Sequence, residues 1–134
     1  MSYLRKYLRK ILTLIIGKDS FLHRIPFGPL RGEKIFMSFN DGPGMFMGLH
    51  EINLLKTEKK YLDVNDVVYD VGAHVGYTTL WYSKLLGESG SIHAFELIPS
   101  TTEKLIKTVT NLGKKNITIH NVGLGLKYEK KQFI

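Results

Sequence analysis

The pattern of apolar and polar residues is clearest from position 67 onward. Three short apolar runs are predicted strands, at Val67–Val71, Ser91–Phe95 and Ile117–Ile119. Between them, apolar residues recur at helical spacing over Tyr77–Leu86 and over 99–112, and a glycine follows each stretch, which is typical of a helix end. The second half of the chain therefore predicts the order β-α-β-α-β, with the Val67–Val71 run in a buried strand.

The second predicted helix carries a candidate capping box at its start. Ser100 and Glu103 have the spacing at which a serine caps the first turn and a glutamate reaches back to it. Short β-α-β crossovers are nearly always right-handed and place their strands side by side in parallel. We therefore expect an α/β fold: the first half of a Rossmann-like doubly wound parallel sheet, truncated after its third strand.

The region before position 67 predicts smaller elements. It opens as a loop rich in Gly and Pro, followed by a short strand at Lys34–Phe39 and a turn at 40–43. Apolar and basic residues at helical spacing then predict a helix over 49–62. The expected organisation is a basic N-terminal arm with its connector at 1–31, a β/helical segment at 32–66 and an incomplete Rossmann-like domain at 67–134.

The net charge of +7 is concentrated near the N-terminus. Residues 1–34 contain eight Lys and Arg against two acidic residues, whereas the remaining hundred residues contain eleven against ten. A nucleic-acid-binding face would need a basic stripe on the globular part. No nucleic-acid partner is therefore expected.

Residues 1–18 combine apolar positions at helical spacing with basic residues on the other flank. Only Ile11–Ile16 is free of charge, which is too short a run for a transmembrane helix. Three interpretations remain open. The arm is a secretory signal, although no small-residue cleavage site follows Gly17; or a basic amphipathic helix on an anionic membrane surface; or a helix packed against its own domain.

The cysteine and histidine content excludes several chemistries. The chain has no cysteine, so disulfides, cysteine zinc sites and thiol catalysis are ruled out. This composition fits a reducing compartment, and we expect a cytoplasmic protein, peripheral at the membrane if the arm binds lipid. The five histidines lack metal-ligand spacing, so no metal site is expected.

A polar residue stands at the carboxyl end of each predicted strand: Asp70, Glu96 and Asn121. Ligands of doubly wound sheets bind beyond this edge. The bend at 72–76 contains two glycines, which let a backbone approach a ligand closely, and Glu96 lies where an acidic side chain takes ribose hydroxyls. For Asp70 and Glu96 these features favour a role in binding a nucleoside over the alternatives of a helix cap and a solvated carboxylate. For Asn121 an ordinary turn residue is an equally good interpretation.

The position of Asp70 separates two kinds of nucleoside. A carboxylate beside the bend is unfavourable next to a pyrophosphate and favourable near an ammonium or sulfonium cation. The bend reads Gly-Ala-His-Val-Gly, which departs from the dinucleotide pattern G-x-G-x-x-G. A nucleoside with positive charge is therefore favoured, and a NAD-binding oxidoreductase is the alternative.

Three stretches, "VVYDVGAHVGYTTL", "SIHAFELIPS" and "ITIHNVGLG", resemble the S-adenosylmethionine-binding half of a class I methyltransferase. The resemblance is strongest to the FkbM family, whose first motif reads approximately D-V-G-A-N-x-G-Y-x-T, and it covers roughly residues 45–126. It implies S-adenosylmethionine as the cofactor. Asp70, Gly72 and Ala73 would hold its methionine end, with His74 and Tyr77 lining the same bend.

The resemblance implies roles for four further residues. Thr78 would bind the methionine carboxylate, and Gly76 would let the start of the helix come close to the cofactor. Glu96 would take the ribose hydroxyls, and Asn121 would lie near the adenine.

The sequence departs from the family pattern in three ways. His74 replaces the usual Asn, Pro99 stands one residue later than in the F-E-P motif, and the fourth strand would have to follow Ile134. We therefore expect a fragment that binds cofactor weakly or not at all by itself. Without a fourth strand, Val67–Val71 would be an exposed apolar edge.

The implied reaction is O-methylation of a hydroxyl on a sugar, another glycan or a small molecule. His74 and His120 are the only nearby titratable candidates for a catalytic base. Neither is assigned that role. The alternatives are the NAD-binding oxidoreductase and a non-catalytic, membrane-associated fragment. The oligomeric state is not predicted.

Overall fold

The computed structural model describes residues 3–127, apart from the side chains at positions 4–6, 8 and 9. These five positions include Arg5, Lys6 and Arg9, so most of the predicted basic flank lies outside the described residues. The end of the predicted 67–134 domain also lies outside them. The helices are α1 (Tyr3–Ile16), α2 (Pro43–Met47), α3 (Ile52–Glu58), α4 (Tyr77–Leu86) and α5 (Pro99–Asn111). The strands are β1 (Phe21–Arg24), β2 (Lys34–Met37), β3 (Val67–Val71), β4 (Ser91–Phe95) and β5 (Ile117–His120).

The second half forms the predicted three-stranded parallel sheet, in the order β3-β4-β5. In its register, Asp70 lies beside Ala94, and Phe95 lies beside His120. Two predicted strands and the helix α4 have the predicted bounds, and β5 is one residue longer than predicted. The Rossmann-like α/β expectation is confirmed for this half-sheet.

The expected capping box on α5 is wrong. Ile98 occupies the N-cap, and Pro99 begins the helix, where its missing N–H costs nothing. Ser100 therefore already lies inside the first turn and makes no side-chain cap. The Thr102 hydroxyl instead donates to the carbonyls of Glu96 and Ile98, at 3.2 and 3.1 Å, and so ties the first turn of α5 to the end of β4.

The first half contains a β-hairpin that the sequence only partly indicates. β1 pairs with β2 in antiparallel register, and the prediction missed β1 because four residues are too few to show an alternation. The predicted strand at Lys34–Phe39 ends early, and a 3-10 turn at Phe39–Asp41 follows it. The helix expected over 49–62 begins only at Ile52, because Glu51 adopts the left-handed conformation with φ 45°.

The main hydrophobic core lies between the hairpin, α3 and α4. Ile35, Met37, Leu55, Tyr77 and Leu80 are among its most deeply buried members, all at most 2% exposed. A smaller cluster joins the sheet to α5 through Ala94, Leu105 and Val109. The core therefore holds the first half of the chain against the start of α4, where the predicted site begins.

The sheet is covered on one face only by the described helices. Along β4, Ile92 and Ala94 are fully buried, while the residues that alternate with them, Ser91, His93 and Phe95, are partly exposed. On the other face Tyr69 and Val71 are 62% and 61% exposed. The expectation that β3 is a buried strand is therefore wrong, and β3 is instead the exposed apolar edge of the described sheet.

Candidate functional site

The bend after β3 is held by hydrogen bonds from its own backbone. The N–H groups of Gly72 and Ala73 both donate to the carbonyl of Phe95, at 2.9 and 3.0 Å, and the N–H of Gly76 donates to Ala73. The N–H of His74 donates to Oε2 of Glu96 at 3.0 Å. Four of the bend's amides are thus already satisfied within the protein.

Three residues of the bend have positive φ: Gly72 (83°), His74 (52°) and Gly76 (97°). A Cβ on Gly72 would meet nothing within 4 Å, so the space beside this residue is open, as a ligand cradle requires. A Cβ on Gly76 would lie 2.7 Å from Leu105 of α5, so this glycine serves helix packing. His is one of the few non-glycine residues enriched at positive φ, together with Asn, which explains how His74 can stand where the FkbM motif has Asn.

A cleft of about 350 Å³ lies between this bend and the region around α3. Its main lining residues from the second half of the chain are Asp70, Gly72, Ala73, His74, Tyr77 and Thr78. Met45, His50, Glu51, Leu54 and Glu58 line it from the first half, and Tyr82 from α4. The structure therefore brings together six of the nine predicted site residues.

Asp70 is the buried carboxylate of this cleft. Its side chain is 8% exposed, and its Oδ2 accepts a hydrogen bond from the Thr79 hydroxyl at 2.5 Å. Burial raises the pKa of Asp70, the Thr79 hydrogen bond opposes the rise and the charge of Glu58 adds to it. The helix-cap alternative receives no support, because the hydroxyl of Thr79 is the donor and not a backbone amide of α4.

Glu96 lies outside the cleft lining and ties two loops together. Its Oε2 accepts from His74 N–H, and its Oε1 accepts from Ile98 N–H at 2.8 Å. The residue is 7% exposed, which contradicts the alternative of a solvated carboxylate. Each oxygen keeps a second lone pair, so the predicted ribose role remains open to test.

Asn121 is also absent from the cleft lining. Its side-chain amide donates to the carbonyls of Glu96 and Leu97 and to the Thr102 hydroxyl, at 2.8, 3.2 and 2.8 Å. These bonds hold the loop after β4 against the end of β5. Its contact with adenine stays a prediction.

Sequence reasoning missed the residues that α3 and the segment before it bring to the cleft. His50 Nε2 lies 3.5 Å from a carboxylate oxygen of Glu51, and the His50 ring packs edge-on against Tyr77. The Tyr82 hydroxyl donates to Glu58 Oε1 at 3.0 Å. The structure marks this region with two left-handed non-glycine residues, Glu51 and His74. No sequence pattern indicates them, because φ angles cannot be read from sequence.

The electrostatic character of the cleft follows from this lining. Three carboxylates, those of Glu51, Glu58 and Asp70, line it, and no Lys or Arg is among its lining residues. Within residues 3–127 no group of three or more His, Asp or Glu is arranged to hold a metal ion. The cleft is therefore suited to a cationic organic ligand and unfavourable for a pyrophosphate.

The two histidines considered as bases lie in different places. His74 lines the cleft. His120 lies on the open face of the sheet, where its Nε2 is 3.0 Å from Nδ1 of His93 and its ring stacks on Phe95. His120 is therefore excluded from chemistry in the cleft.

The parallel half-sheet and the glycine bend after β3 together form half of a Rossmann-like fold. In sequence, the chain is similar to a protein-L-isoaspartate O-methyltransferase of Methanococcus maripaludis, with 34% identity over 71 residues that cover 53% of this chain and 33% of that protein. The enzyme of the same name from Fervidobacterium nodosum is 39% identical over 62 residues, which cover 45% of this chain and 31% of that one. The chain thus spans about a third of the length of the curated relatives it matches.

Two solved structures show the same fold. A protein of Clostridium thermocellum described as an rRNA methylase superposes with a TM-score of 0.51 and 22% identity, over 53% of this chain and 40% of that one. A protein of Pyrococcus horikoshii assigned as a transferase superposes with a TM-score of 0.59 and 14% identity, over 80% of this chain and 37% of that one. No family model matches the chain, so its membership of the FkbM family stays a prediction. The relatives agree with the predicted methyltransferase class.

Proposed function

We propose that this chain forms the cofactor-binding part of an S-adenosylmethionine-dependent methyltransferase. The observation that carries the proposal is the cleft beside the bend, lined by three carboxylates and by no Lys or Arg. S-adenosylmethionine is a nucleoside with a sulfonium and an ammonium group, and both cations are favoured there. The sequence similarity to methyltransferases supports the same class.

The bound cofactor would supply a methyl group attached to a positively charged sulfur. Asp70 would hold its methionine end, and the open space beside Gly72 would admit it. Thr78 lies in the first turn of α4, which has no side-chain cap, so its hydroxyl and the free N–H groups of that turn would receive the methionine carboxylate. Glu96 would take the ribose hydroxyls, and Asn121 would lie near the adenine.

These residues would act by binding and orientation. A methyl transfer needs the acceptor oxygen in line with the bond from sulfur to carbon, and holding the reactants in that geometry provides much of the rate. His74 is the one base candidate from the sequence that lies in the cleft. We assign no catalytic base.

Two classes of acceptor are proposed for test. The FkbM resemblance favours a hydroxyl of a sugar or other small molecule. The relatives are named as protein-L-isoaspartate methyltransferases, which favours a carboxylate on a peptide. Transfer of a labelled methyl group to an isoaspartyl peptide and to a sugar panel separates these acceptors.

The cofactor proposal is tested by ligand titration monitored by protein NMR, which detects weak binding. We expect shifts at Gly72 and Thr78 with S-adenosylmethionine and S-adenosylhomocysteine, and their loss in Asp70→Asn but not in Asp19→Asn, an exposed control. NAD binding that survives in Asp70→Asn would overturn the proposal in favour of an oxidoreductase.

We further propose that α1 contacts membranes peripherally. In this helix Leu14 and Ile15 are 80% and 75% exposed, and the sequence places four basic residues between positions 5 and 10. No helix within residues 3–127 has the length and apolar character to cross a bilayer. Leu14→Asp/Ile15→Asp should abolish co-sedimentation with anionic vesicles, whereas equal pelleting of both proteins would exclude this role.

A further inference from the structure

Resting on the proposed function, we propose that Glu58 is the receptor for the ammonium group of the bound cofactor. Glu58 is the last residue of α3 and lines the cleft together with Asp70 and Gly72. It belongs to none of the motifs that suggested the cofactor. The inference thus adds a binding residue from outside the Rossmann-like half.

The two oxygens of Glu58 are in different states. Oε1 accepts a hydrogen bond from the Tyr82 hydroxyl at 3.0 Å. Oε2 is buried, and no described residue forms a hydrogen bond with it. Buried polar atoms are rarely left without a partner, because the lost hydration costs about 1–3 kcal/mol and more for a charged group. An unpaired carboxylate oxygen on a cleft wall is therefore a position that a ligand donor would satisfy.

Asp70 and Glu58 both place a carboxylate on the lining of the cleft. Burial is the main cause of the raised pKa of Asp70, and the negative charge of Glu58 adds to it. Burial and the hydrogen bond to Glu58 raise the pKa of Tyr82, and the charges of Glu58, Asp70 and Glu51 add to that rise. The negative charge of Glu58 thus disfavours the ionised form of Asp70. A cation bound between Glu58 and Asp70 would relieve that repulsion and interact favourably with both carboxylates.

The ammonium group fits this position better than the sulfonium group does. A sulfonium carries positive charge but no N–H, so it cannot satisfy the empty acceptor on Oε2. An ammonium has three donors, which can reach Glu58 and Asp70 together. A second buried polar atom of the cleft, the Tyr77 hydroxyl, also lacks a well-formed hydrogen bond, although the backbone of His50 lies close enough to moderate its raised pKa.

Tyr82 is a positioning residue in this arrangement. Its hydroxyl holds Oε1 of Glu58, which fixes the carboxylate at the end of α3 against α4. A bond of this kind limits the rotamers open to the glutamate before the ligand arrives. Tyr82→Phe should therefore weaken binding less than Glu58→Gln does. Both variants should affect the same ligands.

The test compares S-adenosylhomocysteine with 5′-methylthioadenosine, which shares the nucleoside and the sulfur but has no amino-acid group. In Glu58→Gln we expect the affinity for S-adenosylhomocysteine to fall about 10- to 100-fold, the loss of a hydrogen bond to a charged group, and the affinity for methylthioadenosine to change less than about twofold. The control is Glu103→Gln, an exposed residue of α5 with the same charge change.

The other outcomes are distinguishable. Equal losses for both ligands, or no loss for either, would overturn the role of Glu58 while leaving the cofactor proposal intact. If the unchanged protein bound neither ligand even in the NMR titration, which detects weak complexes, the proposed function would fall and this inference with it. Should Glu58→Gln not fold, Tyr82→Phe provides the same comparison, and a loss that does not discriminate between the two ligands would overturn the proposal.

Discussion

Asp70 is a buried carboxylate whose charged form costs the fold stability. Burial of a carboxylate disfavours its charged form, and here only the Thr79 hydroxyl acts against that cost. Nothing in the packing of β3 requires a charge at this position. A buried group with a raised pKa in a cleft is a frequent mark of a binding or catalytic role.

We predict that Asp70→Asn keeps or raises stability at pH 7. The pKa of Asp70 is higher in the folded chain than its ordinary value, so folding takes up protons between the two values. The unfavourable contribution of Asp70 therefore develops as the pH rises through that interval and is complete above the folded pKa. The neutral variant escapes it, since the amide oxygen of Asn can still accept from Thr79.

The measurement is urea unfolding of both proteins at pH 7 and at pH values below 4. We expect the variant to be at least as stable as the parent at pH 7 and to lose its relative advantage in acid. A variant that is clearly less stable at pH 7 would show that the charge of Asp70 supports the fold.

At the scale of elements, α5 connects the two halves of the molecule. Thr108, which is fully buried on this helix, accepts a hydrogen bond from the N–H of Phe36 in β2 at 2.9 Å. Its hydroxyl donates to the carbonyl of Val75 in the bend at 3.1 Å. One side chain thus joins the hairpin, α5 and the bend beside the site.

We predict that Thr108→Val lowers the free energy of unfolding by about 1–3 kcal/mol, because it leaves a buried N–H and a buried carbonyl without partners while nearly preserving volume. The same substitution at the exposed Thr110 of α5 is the control and should change stability by less than about 0.5 kcal/mol. Urea unfolding measures both. Equal effects at the two positions would mean that the connection through Thr108 has no energetic weight.

At the scale of the whole molecule, the dominant feature is the open face of the sheet. Tyr69 stacks on His93 and Phe95 there, with ring centroids 5.2 and 5.9 Å apart, and the residues of β3 on this face remain largely exposed. Exposed apolar edge strands are sites of association between chains. The described residues therefore include an exposed apolar face of the sheet, of the kind that is usually buried.

We predict that Val67→Lys/Val71→Lys reduces self-association of the chain, because charged side chains on an edge strand oppose pairing with a second strand. Light scattering after size-exclusion chromatography should show a concentration-dependent mass for the parent and a smaller one for the variant. Tyr61→Lys alters an exposed residue of a turn, outside the sheet, and serves as the control. A parent that stays monomeric at high concentration would refute the prediction.

Local patterns in the sequence determined the second half of the fold. Apolar runs at Val67–Val71 and Ser91–Phe95, helical spacing over Tyr77–Leu86 and the glycines that follow are short-range signals, and each produced the predicted element. The bend is equally local, since its glycines are required by positive φ. Six predicted site residues line the cleft for this reason, because they lie on or directly beside that bend.

Only the tertiary structure decided what faces the bend. Glu51 and Glu58 reach the cleft because the core around Leu55 holds α3 against α4, and no spacing in the sequence records that contact. Which side of β3 is buried was likewise settled by the packing of α4 and α5 on one face. A sequence encodes backbone preferences over a few residues. The placement of Glu51 and Glu58 in the same cleft as Asp70 instead depends on contacts between segments that are distant along the chain.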